Sequence, residues 1–241
     1  MGYDPVALDK KFRLAIKEFW SLRASAKARG AEKSGRGEAT AGVHLNPLLN
    51  LIAEFIRSSG LSEAEFYRNR QASLPGYFRP AKQWDLVVLH KGSLAAAIEL
   101  KSQVGSYGNN FNNRVEEALG SASDLDASLL DGPLRQYSPD RGHLRPFRGW
   151  LMILAEEEES TRRGGAPNAL FDLDPVFLRG GRLISYAERY EKFTSRLVLS
   201  KKYDAAAIVL AKKTDGSYRG YGLEAFWREL SCFASKAGSI S

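Results

Sequence analysis

Apolar residues recur at the three- and four-residue spacing of a helix in two stretches of the N-terminal half, residues 5–24 and 44–59. Lysines and arginines separate the apolar positions of the first stretch, so we expect a helix with a basic outer face. The second stretch stops at Gly60, a residue type that often ends helices. Further helices are predicted at about residues 183–198 and 222–236.

Two polar pairs resemble capping boxes, in which a side chain at the helix start and another three residues later bond the exposed backbone N–H groups. Ser62 and Glu65 predict a short helix. Asn113 and Glu116 predict a longer one that runs to about Leu130.

Continuous apolar runs predict buried strands. Residues 84–89 and 97–101 form the first pair, and the segment 90–93 between them suits a hairpin turn. Shorter runs at 149–155 and 205–210 predict two more strands. Since strands and helices alternate along the chain, we expect an α/β fold with a mixed central β-sheet flanked by helices.

Two segments have a polar composition that predicts loops. Ser25 to Gly42 is rich in Gly, Ala, Lys and Arg and has no large apolar residue, which predicts a flexible basic segment. Gly105 to Asn113 is rich in Gly and Asn. No linker separates two cores, so we expect one domain over residues 1–241.

Composition narrows the class of protein. The chain has 241 residues, of which 44% are hydrophobic and 26% charged, as is ordinary for a globular protein. Its net charge of +7 modestly favours a polyanionic partner. Cys232 is the only cysteine, which excludes an internal disulfide and a multi-cysteine zinc site. No apolar run approaches ~18 residues and the N-terminus does not resemble a signal peptide, so we expect a cytoplasmic protein without a membrane partner.

The candidate chemistry lies on the first strand pair. Asp85 is followed by thirteen residues and then by Glu99 and Lys101, which share one face of a strand because they are two residues apart. Two carboxylates and an ammonium at one sheet edge can hold Mg²⁺ and activate a water against a phosphodiester. The alternative is three charges on the solvent face of an antiparallel pair, but the mostly apolar strands favour a buried sheet.

The register of the hairpin decides whether the two acids meet. A three-residue loop at 91–93 places Asp85 directly opposite Glu99. A two-residue loop moves the pairing by one position. The first arrangement is the prediction, and the second stays open.

The residues around this motif resemble a known family. The motif matches the core of the PD-(D/E)xK nucleases, and two longer segments, residues 74–105 and 108–120, resemble the XhoI-type type II restriction endonucleases. The resemblance extends over most of the chain. Where the broad superfamily has Pro before the first acid, this chain has Trp84, at a position that varies among these enzymes.

The resemblance implies a restriction-endonuclease-like α/β core and a homodimer that cuts double-stranded DNA in the bacterial cytoplasm. It implies the palindrome CTCGAG, cut after the first C to leave four-base 5′ overhangs, with Mg²⁺ as the only cofactor. A PD-(D/E)xK nuclease of another role, such as repair or junction resolution, and a catalytically silent DNA-binding module are the rival interpretations.

The resemblance also implies roles for individual residues. Asp85, Glu99 and the backbone carbonyl of Leu100 would hold Mg²⁺, and Lys101 would orient the attacking water. Glu54 is a further candidate acid, because this superfamily often takes one from the preceding helix; an exposed helix glutamate is the alternative.

Candidate DNA contacts are polar or basic side chains near this core, with ordinary surface, loop and capping roles as the alternatives. They are Gln103, Asn109, Asn110, Asn112, Asn113, Arg114, Arg79, Lys82, Arg162 and Arg163. We expect Tyr77 and Phe78 to pack in the core. The acidic run Glu156–Glu159 predicts a solvated loop.

Overall fold

A computed structural model gives the arrangement of these elements and describes residues 3–28, 42–137, 144–166 and 168–239. The helices are α1 (Pro5–Ala28), α2 (Asn46–Ser58), α3 (Tyr107–Leu130), α4 (Glu158–Thr161), α5 (Tyr186–Leu199) and α6 (Leu223–Gly238). The strands are β1 (Glu65–Tyr67), β2 (Ser73–Pro75), β3 (Ala81–Gln83), β4 (Leu86–His90), β5 (Ser93–Gln103), β6 (Phe147–Ala155), β7 (Leu178–Arg179), β8 (Arg182–Leu183), β9 (Ala205–Ala211) and β10 (Tyr218–Tyr221).

Six strands form the central sheet in the order β1-β4-β5-β6-β9-β10. Strands β5, β6 and β9 run parallel to one another, and the pairs β1–β4, β4–β5 and β9–β10 are antiparallel. This confirms the predicted α/β class with a mixed sheet. The strands β2 and β3 form a separate small hairpin directly before β4.

Each face of the sheet is covered by helices. Helices α1, α2 and α6 bury apolar side chains such as Phe12, Ile52 and Phe226 on one face. Helices α3 and α5 bury residues such as Leu125 and Tyr190 on the other. Because both faces are covered, the inner strands are apolar at nearly every position. None of the helices in the described part of the chain is both long and apolar enough to span a membrane.

The hairpin between β4 and β5 brings the motif together in a way that the sequence did not predict. The turn has two residues, Lys91 and Gly92, both with positive φ, instead of the predicted three. A β-bulge shifts the register by one residue between Val88 and Leu89, so that Leu86 pairs with Ile98. Extending that register by one residue sets Asp85 opposite Glu99, as expected, although the loop predicted for it was wrong.

Two element predictions are wrong. Glu65 begins an edge strand paired with β4, not a helix, so the apparent capping box at Ser62 was misleading. Helix α3 begins at Tyr107, six residues before Asn113, because the polar Asn-rich segment forms its first turns instead of a loop. Residues 25–28 of the predicted basic segment belong to α1, and residues 29–41 lie outside the described residues.

Candidate active site

Asp85 stands just before β4, where its side chain is fastened to the neighbouring strand. Its Oδ2 accepts a hydrogen bond of 2.8 Å from the backbone N–H of Leu100. This bond holds the carboxylate beside the backbone of Leu100. The acid therefore has a fixed position at the sheet edge, with its second oxygen free of any hydrogen bond to the described residues.

Glu99 is almost fully buried, and each of its carboxylate oxygens has partners. Its Oε1 lies 2.8 Å from Nζ of Lys101 and 3.2 Å from Nζ of Lys82. Its Oε2 accepts a hydrogen bond of 3.2 Å from the Tyr203 hydroxyl. A buried carboxylate requires such partners, because desolvation of an unpaired charge is costly.

The electrostatics of the three motif residues differ. Burial raises the pKa of Asp85 above its ordinary value, although Lys101 and the Leu100 N–H oppose that rise. Burial acts the same way on Glu99, but Lys101 and Lys82 outweigh it and hold the pKa of Glu99 below its usual range. Burial would lower the pKa of Lys101, but Glu99 and Asp85 raise it. Lys101 is therefore a cation at neutral pH.

The oxygen donors at this edge fit Mg²⁺. No group of three or more His, Cys, Asp or Glu side chains suited to a metal occurs among the described residues. Mg²⁺ does not need such a group, because it is usually held by one or two carboxylates together with waters and substrate phosphates. Asp85, Glu99 and the Leu100 carbonyl are the residues that would hold it.

Asp85 and Lys101 open into a cleft of about 1140 Å³. Among the described residues, five cationic side chains line it, and Asp85 is the only acid that does. The cations are Arg23, Arg68, Arg70, Lys101 and Arg114. Such a charge distribution attracts a polyanion and concentrates it beside the two acids.

A second concavity of about 560 Å³ brings together three of the predicted DNA contacts, Asn109, Arg162 and Arg163. Asn109 and its neighbours Asn110, Asn112 and Asn113 occupy the first turns of α3. The predicted capping role of Asn113 is wrong, because Ser106 precedes the helix in a left-handed conformation. Asn110 donates to the carbonyl of Ser106.

The other predicted contacts lie in different surroundings. Gln103 is buried and uses its amide within the protein, donating to Gly105 and accepting from Tyr190. Arg114 lines the cleft that contains Asp85 and pairs with Glu117 at 2.6 Å. Lys82 pairs with Glu99, as described above.

Arg79 and Glu54 are held by ion pairs away from the cleft lining. Arg79 pairs at 3.0 Å with the buried Asp124. Glu54 is exposed and lies 2.5 Å from Lys11, so the structure does not bring it to Asp85.

The predictions for Tyr77 and Phe78 and for the acidic run Glu156–Glu159 are wrong. Tyr77 and Phe78 are 51% and 73% exposed, because Asp124 accepts both of their backbone N–H groups and fixes a turn whose side chains point outward. Residues 156–159 do not form a solvated loop: Glu156 pairs with Arg219, and Glu157 caps the short helix α4.

Sequence reasoning missed several residues of the site. Tyr203 lies 104 positions from Glu99, so no local pattern connects the two. Arg23 and His44 reach the cleft from the N-terminal elements and bond Ser102. The exposed residues 69–71, in which the sequence shows no motif, also line the cleft beside Asp85.

Comparisons with known proteins identify the relatives of this chain. The family model described as restriction endonuclease XhoI matches residues 25–222. The type II restriction enzyme XhoI of Xanthomonas vasicola is 38% identical over 83% of this chain and 79% of its own length. BstVI of Geobacillus stearothermophilus is 34% identical over 78% of this chain and 83% of its own length, and AbrI of Azospirillum brasilense is 42% identical over 68% and 73%. Both carry the same description, type II restriction enzyme. No solved structure matches the chain.

Proposed function

The chain belongs to the restriction endonuclease XhoI family, and from that premise we propose that Asp85, Glu99 and Lys101 are the catalytic residues of a Mg²⁺-dependent DNA endonuclease. The observation that supports this most strongly is the convergence of two acids and a lysine at the edge of a cationic cleft. The metal, when bound, stabilises the charge of the transition state and lowers the pKa of a water.

Each residue of the site has a separate proposed role. Asp85 and Glu99 would hold the cation together with the Leu100 carbonyl, and the Leu100 N–H keeps Asp85 in position. Lys101, held 2.8 Å from Glu99, is a cation that orients the attacking water and offsets charge on the attacked phosphate. Attack by this water on the phosphorus, in line with the leaving 3′ oxygen, yields a 5′-phosphate and a 3′-hydroxyl.

The target and the assembly are part of the same proposal. We propose the palindrome CTCGAG, cut after its first C to leave four-base 5′ overhangs. A two-fold target is read most simply by a two-fold dimer in which each subunit cuts one strand. Such an enzyme acts on DNA in the bacterial cytoplasm.

A plasmid digest tests this proposal. The purified protein is incubated with Mg²⁺ and a plasmid that carries two CTCGAG sites, beside a plasmid in which both sites carry one base-pair change. Two discrete fragments from the first plasmid alone support the proposal. Degradation of both plasmids indicates a nuclease of another role, and intact plasmids indicate a silent DNA-binding module.

A further inference from the structure

A short turn projects into the catalytic cleft between β1 and β2. Residues Asn69–Ala72 form a single 3₁₀ turn. Asn69, Arg70 and Gln71 are exposed and line the cleft that also contains Asp85. Within the described part of the chain, none of these three side chains has a hydrogen-bond or ion-pair partner.

Both ends of this turn are fixed. At its start, the Arg68 guanidinium donates to the side-chain oxygen of Asn50 at 2.5 Å and to the Leu49 carbonyl at 3.0 Å, both on α2. At its end, Ala72 is fully buried and its carbonyl accepts a 2.9 Å hydrogen bond from the N–H of Trp84. The turn is therefore attached to the helix behind it and to the residue next to Asp85.

The backbone of the turn explains its sequence. Asn69 has φ 53, in the left-handed region that asparagine tolerates better than most residues. Arg68 before it is extended, so the chain reverses between the anchor and the projecting side chains. Because its backbone is already fixed, the turn loses less backbone entropy when it binds a partner.

The chemistry of the three free side chains favours bases over phosphates. Phosphate oxygens only accept hydrogen bonds, so the amide oxygens of Asn69 and Gln71 would be left unused there. Purine edges in the major groove can use all of these groups. Guanine accepts two hydrogen bonds from arginine, and adenine both donates to and accepts from asparagine or glutamine. On this basis, and resting on the proposed endonuclease function, we propose that Asn69, Arg70 and Gln71 read base edges of the target and that Arg68 is their positioning residue.

The test compares specificity, not activity alone. The variants are Asn69→Gly, which keeps the left-handed backbone, Arg70→Ala and Gln71→Ala. For each we measure kcat/KM with Mg²⁺ on a CTCGAG duplex and on duplexes with one base pair replaced. The matched controls are Arg135→Ala and Gln136→Ala, an exposed Arg-Gln pair at the 3₁₀ turn Arg135–Tyr137, which does not line the cleft.

We expect Arg70→Ala and Gln71→Ala to lower the ratio of cognate to mismatched kcat/KM by about 5- to 150-fold at particular base pairs, the discrimination carried by one good bidentate contact. The two controls should keep the wild-type ratio. Arg68→Met should lower the ratio at the same base pairs, because it releases the turn from α2. Loss of a merely structural residue or of a phosphate contact would instead lower kcat/KM equally on all duplexes.

Two results would overturn this inference while leaving the proposed function standing. One is an unchanged ratio in all three turn variants; the other is an equal loss on every duplex, which would indicate phosphate contact only. A wild-type enzyme that cuts all duplexes equally would instead contradict the proposed function, and the inference with it.

Discussion

The hydroxyl of Tyr203 donates to Oε2 of Glu99 at 3.2 Å and shares its proton with the carbonyl of Ala118 at 3.1 Å. Burial raises the pKa of Tyr203 well above 10, so the hydroxyl remains a donor. Tyr203 precedes β9 and Ala118 lies on α3, so the bond connects Glu99 to two elements distant in sequence. It fixes the orientation of a carboxylate whose other oxygen faces two lysines.

Tyr203→Phe should impair cleavage as well as folding. Loss of a hydrogen bond to a buried charged acceptor costs about 1.5–3 kcal/mol of stability. Loss of a group that orients a metal ligand typically costs about 10- to 100-fold in activity or metal affinity. Urea unfolding and single-turnover cleavage measure the two effects.

Tyr218→Phe is the matched control for this change, because Tyr218 also donates to a carboxylate, that of Asp9, away from both clefts. It should lose stability and keep its cleavage rate. Equal cleavage rates for Tyr203→Phe and Tyr218→Phe would refute the orienting role.

We expect Lys82 to compete with a metal cation for Glu99. Its ammonium lies 3.2 Å from Oε1 of Glu99 and 5.0 Å from the ring centre of Trp84. Because Lys82→Met removes this positive charge, we expect the protein without DNA to bind Mn²⁺ about tenfold more tightly. Isothermal titration calorimetry measures this affinity.

The control Lys11→Met removes only an exposed pair with Glu54 and should leave the affinity unchanged. Unchanged or weaker Mn²⁺ binding in Lys82→Met would refute the competition.

His44 should make the fold sensitive to mild acid. Burial, together with the nearby Arg23, lowers the pKa of His44 to about 4. Since the unfolded value is about 6.5, the neutral ring contributes stability that is complete above that pH and is lost as pH falls toward 4. Between pH 7 and pH 5, the free energy of unfolding measured in urea should fall by about 1–2 kcal/mol more for wild type than for His44→Gln. Parallel losses in the two proteins would show that His44 is not responsible.

Local patterns predicted the elements well where one physical cause dominates. The strands at 84–89 and 97–101 were predicted because a sheet covered on both faces needs apolar residues at nearly every position. The acids within them were recognisable for the same reason, since charges in such strands require a function.

The errors arose where distant residues decide the structure. Glu65 forms an edge strand because β4 offers a free edge, which outweighs an apparent capping box. Phe78 points outward because Asp124, on a helix far along the chain, holds its backbone N–H. Tyr203 and Lys82 reach Glu99 only through the fold, so no spacing in the sequence indicates them.

Cleavage by Asp85→Asn tests the central claim most directly. The asparagine oxygen can still accept the Leu100 N–H, so the fold and the cationic cleft should persist while a charged metal ligand is lost. We predict that cleavage falls about a thousandfold or more, roughly 4 kcal/mol of barrier, while binding to a CTCGAG duplex is largely kept, because affinity comes mainly from phosphate and base contacts. Glu54→Gln, at the exposed acid paired with Lys11, should cut normally. Cleavage by Asp85→Asn at a rate near that of the wild type would contradict the account.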